Sequence, residues 1–252
     1  MLVGLIGAGN MATALARGWG DPVLVADAVP GRAQALAATV GGEALERNAE
    51  VFARAELVVL CHKPAQLAQV AADAGELRPA IVSVLGSTLR ADVAKAYPGS
   101  AVFRVLPNLP VEVRRGTLCW VPDPGADAGL AAELEALFAR LGRVVAIDER
   151  LVETAMALTS NAPAFVALVV ESMVDAGVRH GMPAELAGEM ALETLAGTAE
   201  LLRARGGDTL AVRRAVTSPG GSTARGLAAL EAGGVREAFA AAVEAIVAGG
   251  RR

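Results

Sequence analysis

The sequence predicts an α/β fold in two parts, a doubly wound parallel sheet followed by an all-helical domain. Up to about residue 147, short continuous apolar runs alternate with Ala-rich helical stretches. The runs lack the polar alternation of a half-exposed strand, so each belongs in a sheet covered on both faces. From Asp148 onward the strand-like runs stop, and apolar residues recur at helical spacing.

In order, strands are expected at residues 2–6, 23–26, 57–61, 80–85, 101–106 and 117–121, each rich in Val, Ile or Leu. Helices are expected between most of them, as at 33–38 and 65–74. In the second part the helical segments are 151–158, 164–180, 184–205 and 235–247. Gly181-Met182-Pro183, Gly206-Gly207 and Pro219-Gly220-Gly221 mark the joints. The expected domains are therefore 1–147 and 148–252.

Composition narrows the class. The chain carries 23 Lys+Arg against 27 Asp+Glu, and 54% of its residues are hydrophobic. It is too apolar for a disordered chain and has no general positive field for nucleic acid or an anionic membrane. Aromatic residues make up 3%, too few for a base-stacking surface. Cys61 and Cys119 do not make a disulfide framework, and no His or Cys falls at ligand spacing, so no metal is expected. Met1 opens directly into a strand, so no leader is expected. Residues 154–170 are uncharged, but Thr159-Ser160-Asn161-Ala162-Pro163 breaks that run as a bilayer span would not be broken. A cytoplasmic protein is expected.

The first chemical signal is Gly7-Ala8-Gly9-Asn10-Met11-Ala12, which follows the first strand and opens a helix. It is the dinucleotide fingerprint of a Rossmann-type sheet in its alanine form. Gly7 allows the tight turn, Gly9 lets the backbone approach a pyrophosphate, and Ala12 keeps the helix close to the sheet. The helix start offers N–H groups and a positive dipole end to the anion. Asp27 ends the second strand, about 20 residues after Gly7, where an acid takes ribose hydroxyls and repels a 2′-phosphate. Arg32 is placed to oppose that preference, and a plain strand-end turn is the other reading of Asp27.

Lys63-Pro64 follows the third strand, at the carboxyl end where ligands of such sheets bind. The chain has only two lysines, Lys63 and Lys95, so one at a strand end stands out. Position alone leaves open whether it is a site residue or an exposed cap on the next helix. His62 beside it reads more simply as a packed or solvated ring. In the helical part, Val216 to Thr223 gathers four hydroxyls and two glycines, with a helix start at Thr223. Such a turn can cradle an anion, and it can equally be an ordinary capped loop.

Ile6 to Ala12, Cys61-His62-Lys63-Pro64, Arg104-Val105-Leu106-Pro107-Asn108-Leu109-Pro110, and Thr217 to Thr223 with Gly226-Leu227 and Leu230-Glu231 occur in this order. Together they resemble the pyrroline-5-carboxylate reductase family over essentially the whole chain. The resemblance implies a Rossmann domain followed by a helical substrate-binding and dimerisation domain. It also implies reduction of a cyclic imine to L-proline with NADPH or NADH, the last step of proline synthesis. The implied assembly is a homodimer at least, with larger rings of dimers in the family. Gly7, Gly9, Asn10 and Met11 would hold the pyrophosphate, and Asn48 would contact the nucleotide. Lys63 and Pro64, with Leu85 and Gly86, would lie along the nicotinamide end. Glu149 would belong to the substrate region. Ser218, Gly221, Ser222 and Thr223 would bind the substrate, Thr223 as the catalytic hydroxyl. The chain departs from the family pattern at Ser160-Asn161-Ala162 and at Gly86-Ser87.

The residue inventory suits imine reduction. A protonated imine is already electrophilic, so orientation matters more than a strong acid or base. A β-hydroxyacid-type dehydrogenase is the rival enzyme reading. It needs a base for an alcohol proton, usually a lysine, and this chain has none after Lys95. A non-catalytic NAD(P)-sensing dimer is the rival binding reading, and it leaves the hydroxyl-rich turn without a purpose.

Overall fold

The structure, a computed structural model, describes residues 1–250. It comprises two compact units, Met1–Pro163 and the described residues from Ala164 onward.

The first unit is built on an eight-stranded sheet in the order β3-β2-β1-β4-β5-β6-β7-β8. The strands are β1 (Val3–Ile6), β2 (Leu24–Ala26), β3 (Glu43–Ala44), β4 (Leu57–Leu60), β5 (Ala80–Ser83), β6 (Val102–Leu106), β7 (Gly116–Val121) and β8 (Gly142–Ala146). Between them run α1 (Asn10–Trp19), α2 (Arg32–Val40), α3 (Asn48–Arg54), α4 (Leu67–Ala72), α5 (Arg90–Ala96) and α6 (Ala128–Ala139). Strand periodicity sends alternate residues to opposite faces, so each strand feeds two cores. Leu5, Val25, Val59, Val82 and Phe103 face α1, α2 and α6, where Trp19 and Phe138 meet edge to face at 5.4 Å. Ile6, Leu24, Val58, Leu60, Ile81 and Val102 face α3, α4 and α5, through Val51, Phe52, Val70 and Val93. This two-sided burial explains the continuous apolar runs.

The sheet is mostly parallel, not wholly so. β7 runs antiparallel to β6, and β8 then pairs parallel with β7. Residues 107–115 between β6 and β7 hold only a 3₁₀ turn, Leu109–Val113. That is too short for the dozen or more residues a parallel crossover needs, so the strand direction must reverse. β3 and β8 are absent from the expected strands. Both are edge strands with mixed exposure, so neither shows an apolar run. After β8, the 3₁₀ turn Glu149–Leu151 and α7 (Val152–Leu158) stay with the sheet unit. Val152 packs with Leu106, Cys119 and Val121.

The second unit is helical, as expected, with α8 (Ala162–Arg179) entering it. α9 (Ala184–Ala204), α10 (Thr209–Ala215), α11 (Ser222–Ala232) and α12 (Val235–Gly250) complete it. Pro163 lies in the first turn of α8, where its missing N–H removes no helical bond. The break between α7 and α8 interrupts the apolar stretch 149–179, which is long and apolar enough to cross a membrane by composition alone. Among the described residues, this unit buries only Ala187, Ala191 and Val212. Val166, Leu168, Met173, Met190, Leu192 and Phe239 are exposed.

Candidate active site

The turn between β1 and α1 is shaped by one glycine. Gly7 has φ +101°, a region that side chains rarely enter, and a Cβ there would lie 2.7–2.8 Å from the Cys61–His62 peptide. Its own N–H is spent on Ala26 O at 2.8 Å, so Gly7 serves through the turn and not as a donor. Gly9 caps α1 without a side-chain hydrogen bond and has open space where its Cβ would be. The first-turn N–H groups of α1, at Asn10 and Met11, have no intrahelical acceptor.

Asp27 ties this turn to the next. Its Oδ2 accepts from Ala8 N at 2.6 Å and its Oδ1 from Val29 N at 2.7 Å. Each carboxylate oxygen retains a further lone pair for a ligand hydroxyl. After β4, Lys63 N donates to Gln66 Oε1 at 3.1 Å, and Gln66 N returns a bond to Lys63 O at 2.9 Å. Pro64 opens that short 3₁₀ turn. Asn48 begins α3 and donates to Asp73 Oδ2 at 2.9 Å.

Gly7, Gly9, Asp27, Asn48 and Lys63 line one cavity of about 400 Å³, with Ile6, Arg32, Cys61, His62, Gln66 and Val70 among its other walls. It sits at the carboxyl ends of β1, β2 and β4, where the strand order turns back on itself. Ligands of such sheets bind at that switch point. Cys61 is no nucleophile, because burial pushes its thiol up to about 12. Burial also lowers the His62 pKa, the Lys63 carbonyl working weakly against it.

Asn10, Met11, Pro64, Leu85 and Gly86 are not among the cavity walls. Gly86 belongs to a second cluster that centres on Arg104. This arginine sits on β6 with 1% of its surface exposed. Its Nη1 meets Glu149 Oε1 at 3.0 Å, and its Nη2 donates to Gly86 O. The same Glu149 oxygen accepts from Arg90 N at 2.6 Å, and Arg90 pairs with Asp123 at 3.3 Å. An arginine inside the apolar run Val102-Phe103-Arg104-Val105-Leu106 demands an acid partner, and Glu149, 45 positions away in the chain, supplies it where no local motif would point to it.

In the second unit, the turn 217–221 leads into α11. Gly220 has φ +69°, Gly221 N donates to Ser218 O at 3.0 Å, and Arg225 Nη1 donates to Gly220 O at 2.8 Å. α11 starts at Ser222, one residue before the expected Thr223. Gly221 is its cap, with no side-chain cap bond. Thr223 is therefore not the capping residue, and the N–H groups of Ser222 and Thr223 lack intrahelical acceptors. Ser218 and Ser222 are exposed and Thr223 is half-buried. An uncapped N-terminus flanked by hydroxyls suits a carboxylate.

A cavity at the switch point, a glycine turn and open helix N–H groups fit a dinucleotide, and the sheet unit defines a nicotinamide-dependent oxidoreductase class. The comparisons agree. Residues 2–86 match the family model described as NADP oxidoreductase coenzyme F420-dependent, and residues 149–252 match pyrroline-5-carboxylate reductase dimerisation. The pyrroline-5-carboxylate reductase of Synechocystis sp. is 32% identical, covering 96% of this chain and 94% of that one. That of Thermus thermophilus is 35% identical, covering 96% and 93%. This chain belongs to the pyrroline-5-carboxylate reductase family. The fold also matches a solved Plasmodium falciparum pyrroline carboxylate reductase with NADP bound, at TM-score 0.88 and 23% identity over 99% and 97% of the two chains.

Proposed function

We propose that this chain reduces the cyclic imine 1-pyrroline-5-carboxylate to L-proline with NADPH or NADH. The observation that carries the reading is near full-length similarity to pyrroline-5-carboxylate reductases, at 32% and 35% identity. The two clusters and the turn supply the parts the reaction needs.

When bound, the reduced nicotinamide supplies the hydride, which adds to the ring carbon of the C=N bond, while the nitrogen keeps a proton taken from water. The chain's task is to hold and orient. The N–H groups at Gly9, Asn10 and Met11 receive the pyrophosphate, with Gly7 making the turn. Asn48 and Asp27 serve the nucleoside. Lys63, Pro64, Leu85 and Gly86 serve the nicotinamide end. Glu149 serves the substrate region by fixing Arg104, which holds the Gly86 carbonyl. Ser218, Gly221, Ser222 and Thr223 take the substrate, its carboxylate on the α11 N–H groups and its ring nitrogen on the Thr223 hydroxyl. Reduced nicotinamide cofactor is drawn from the cytoplasm, where this reading places the enzyme. The test is steady-state oxidation of NADH and of NADPH with pyrroline-5-carboxylate. Failure to oxidise either cofactor would refute the assignment.

Asp27 decides between the two cofactors. Its charge opposes a 2′-phosphate, and Arg32 works against it. Asp27→Asn removes the charge; its Oδ1 still accepts from Val29 N, while its Nδ2 gives up the bond from Ala8 N, a loss shared by both cofactors. The NADPH/NADH ratio of kcat/KM should rise about tenfold, or about 1.4 kcal/mol. An unchanged or lower ratio would show that the carboxylate acts only on the loops.

The helices from Ala164 onward should pair with a second copy of the chain. An apolar helix exposed on its own needs burial, and a two-fold packing of like surfaces is the common solution. Residues 148–252 would then be the substrate-binding and dimerisation domain. Light scattering at micromolar concentration should give a dimer or a larger ring of dimers, and a monomer would contradict this.

A further inference from the structure

We propose that His62 accepts a hydrogen bond, through Nε2, from a ribose hydroxyl of the bound dinucleotide. The inference rests on reading the switch-point cavity as the cofactor site. It adds a residue to which the resemblance assigns no role.

The ring's tautomer is fixed by its neighbour. Nδ1 lies 2.9 Å from the Lys63 carbonyl oxygen, and a carbonyl only accepts. In the neutral ring Nδ1 therefore carries the proton, and Nε2 presents a lone pair. That Nε2 is buried and has no partner among the described residues. A buried acceptor without a donor is unfavourable until one reaches it. Burial lowers the ring's pKa, which keeps it in the neutral form that accepts.

The position selects the donor. His62 lines the cavity, and its peptide link to Cys61 is what a Cβ at Gly7 would strike. Gly7 marks the turn that a pyrophosphate approaches. Pyrophosphate oxygens only accept at neutral pH and cannot satisfy Nε2. The ribose hydroxyls on either side of them can donate. The charged and titratable groups around the same cavity are Asp27 and Arg32 from the β2–α2 turn and Cys61 and Lys63 from its own loop. Asp73 lies behind Asn48. The β1–α1 turn offers no charged group there. Cys61 is silent, its thiol being pushed up to about 12. Histidine is the side chain whose charge ordinarily changes between about pH 5 and 8.

The sign of the pH effect follows. Protonation turns Nε2 into a donor and abolishes the bond, so cofactor binding weakens as pH falls through the His62 pKa. Binding in turn favours the neutral ring and lowers that pKa further. A cationic ring on phosphate would do the opposite on both counts.

The test is NADH binding by fluorescence to the full-length protein, from about pH 6 to 8.5. Wild type, His62→Phe and His62→Gln are compared, and NMR of the wild-type imidazole is recorded with and without NAD⁺. At the alkaline end His62→Phe should bind about two- to tenfold more weakly and lose the pH dependence. His62→Gln, whose amide oxygen accepts at every pH, should recover part of the loss. The His62 pKa should fall on saturation. Repeating the NMR with ADP and with nicotinamide mononucleotide shows which ribose is responsible, by which one lowers the pKa. Wild-type affinity in His62→Phe, or binding that tightens as pH falls, would overturn the inference while leaving the cofactor site intact. No NADH binding by the wild type would overturn the cofactor reading and this inference with it.

Discussion

Thr223→Ala should lower kcat/KM for pyrroline-5-carboxylate about ten- to a hundredfold and leave cofactor affinity near wild type. A hydrogen bond to a charged group is worth about 1.5–3 kcal/mol, which sets that range. The variant keeps the backbone N–H, so the helix N-terminus remains and only the hydroxyl is lost. The iminium takes its proton from water, so the loss is partial and not total. Folding should not suffer, because Gly221 is the cap of α11 and no side chain contributes a cap bond. Thr223→Ser should recover much of the activity. Unchanged kcat/KM in the alanine variant, or an equal loss of cofactor binding, would remove Thr223 from the substrate site.

Glu149→Ala should destabilise the protein by about 3 kcal/mol, seen as a fall in the urea midpoint at unchanged slope. The reason lies on β6, not at Glu149 itself. Arg104 is 1% exposed, and deletion of its carboxylate partner, 3.0 Å away, leaves a buried guanidinium uncompensated. The Arg90 backbone N–H loses its acceptor in the same step. The value sits at the low end for a broken buried pair because the Glu149 side chain is 27% exposed, so water can partly replace it. Glu149→Gln, which keeps the acceptor oxygen, should lose less. The double change Arg104→Met with Glu149→Leu should be milder than Glu149→Ala, since it removes both charges together. Wild-type stability in Glu149→Ala would mean that the guanidinium has another anionic partner.

These two residues differ in how far sequence alone reveals them. Thr223 lies in a local motif, and so do Gly7, Gly9 and Lys63. Asp27 follows from strand length and spacing. Motifs of this kind are legible because the chemistry is set by residues close in the chain. The Arg104–Glu149 pair spans 45 positions, and only the folded sheet brings it together. The strands divide in the same way. β1, β4, β5 and β6 are buried on both faces and announce themselves as apolar runs. β3 and β8 lie at the edges, so exposure erases the signal. The reversal at β7 was legible in principle, since residues 107–115 are too few for a crossover.

The central claim is hydride transfer to the ring carbon of a cyclic imine. It is tested most directly by supplying reduced cofactor with deuterium at both C4 positions together with pyrroline-5-carboxylate and analysing the product by mass spectrometry. The account predicts proline carrying a single deuteron at the carbon next to nitrogen that had been part of the C=N bond. Proline formed without deuterium, or cofactor oxidised with no proline formed, would contradict it.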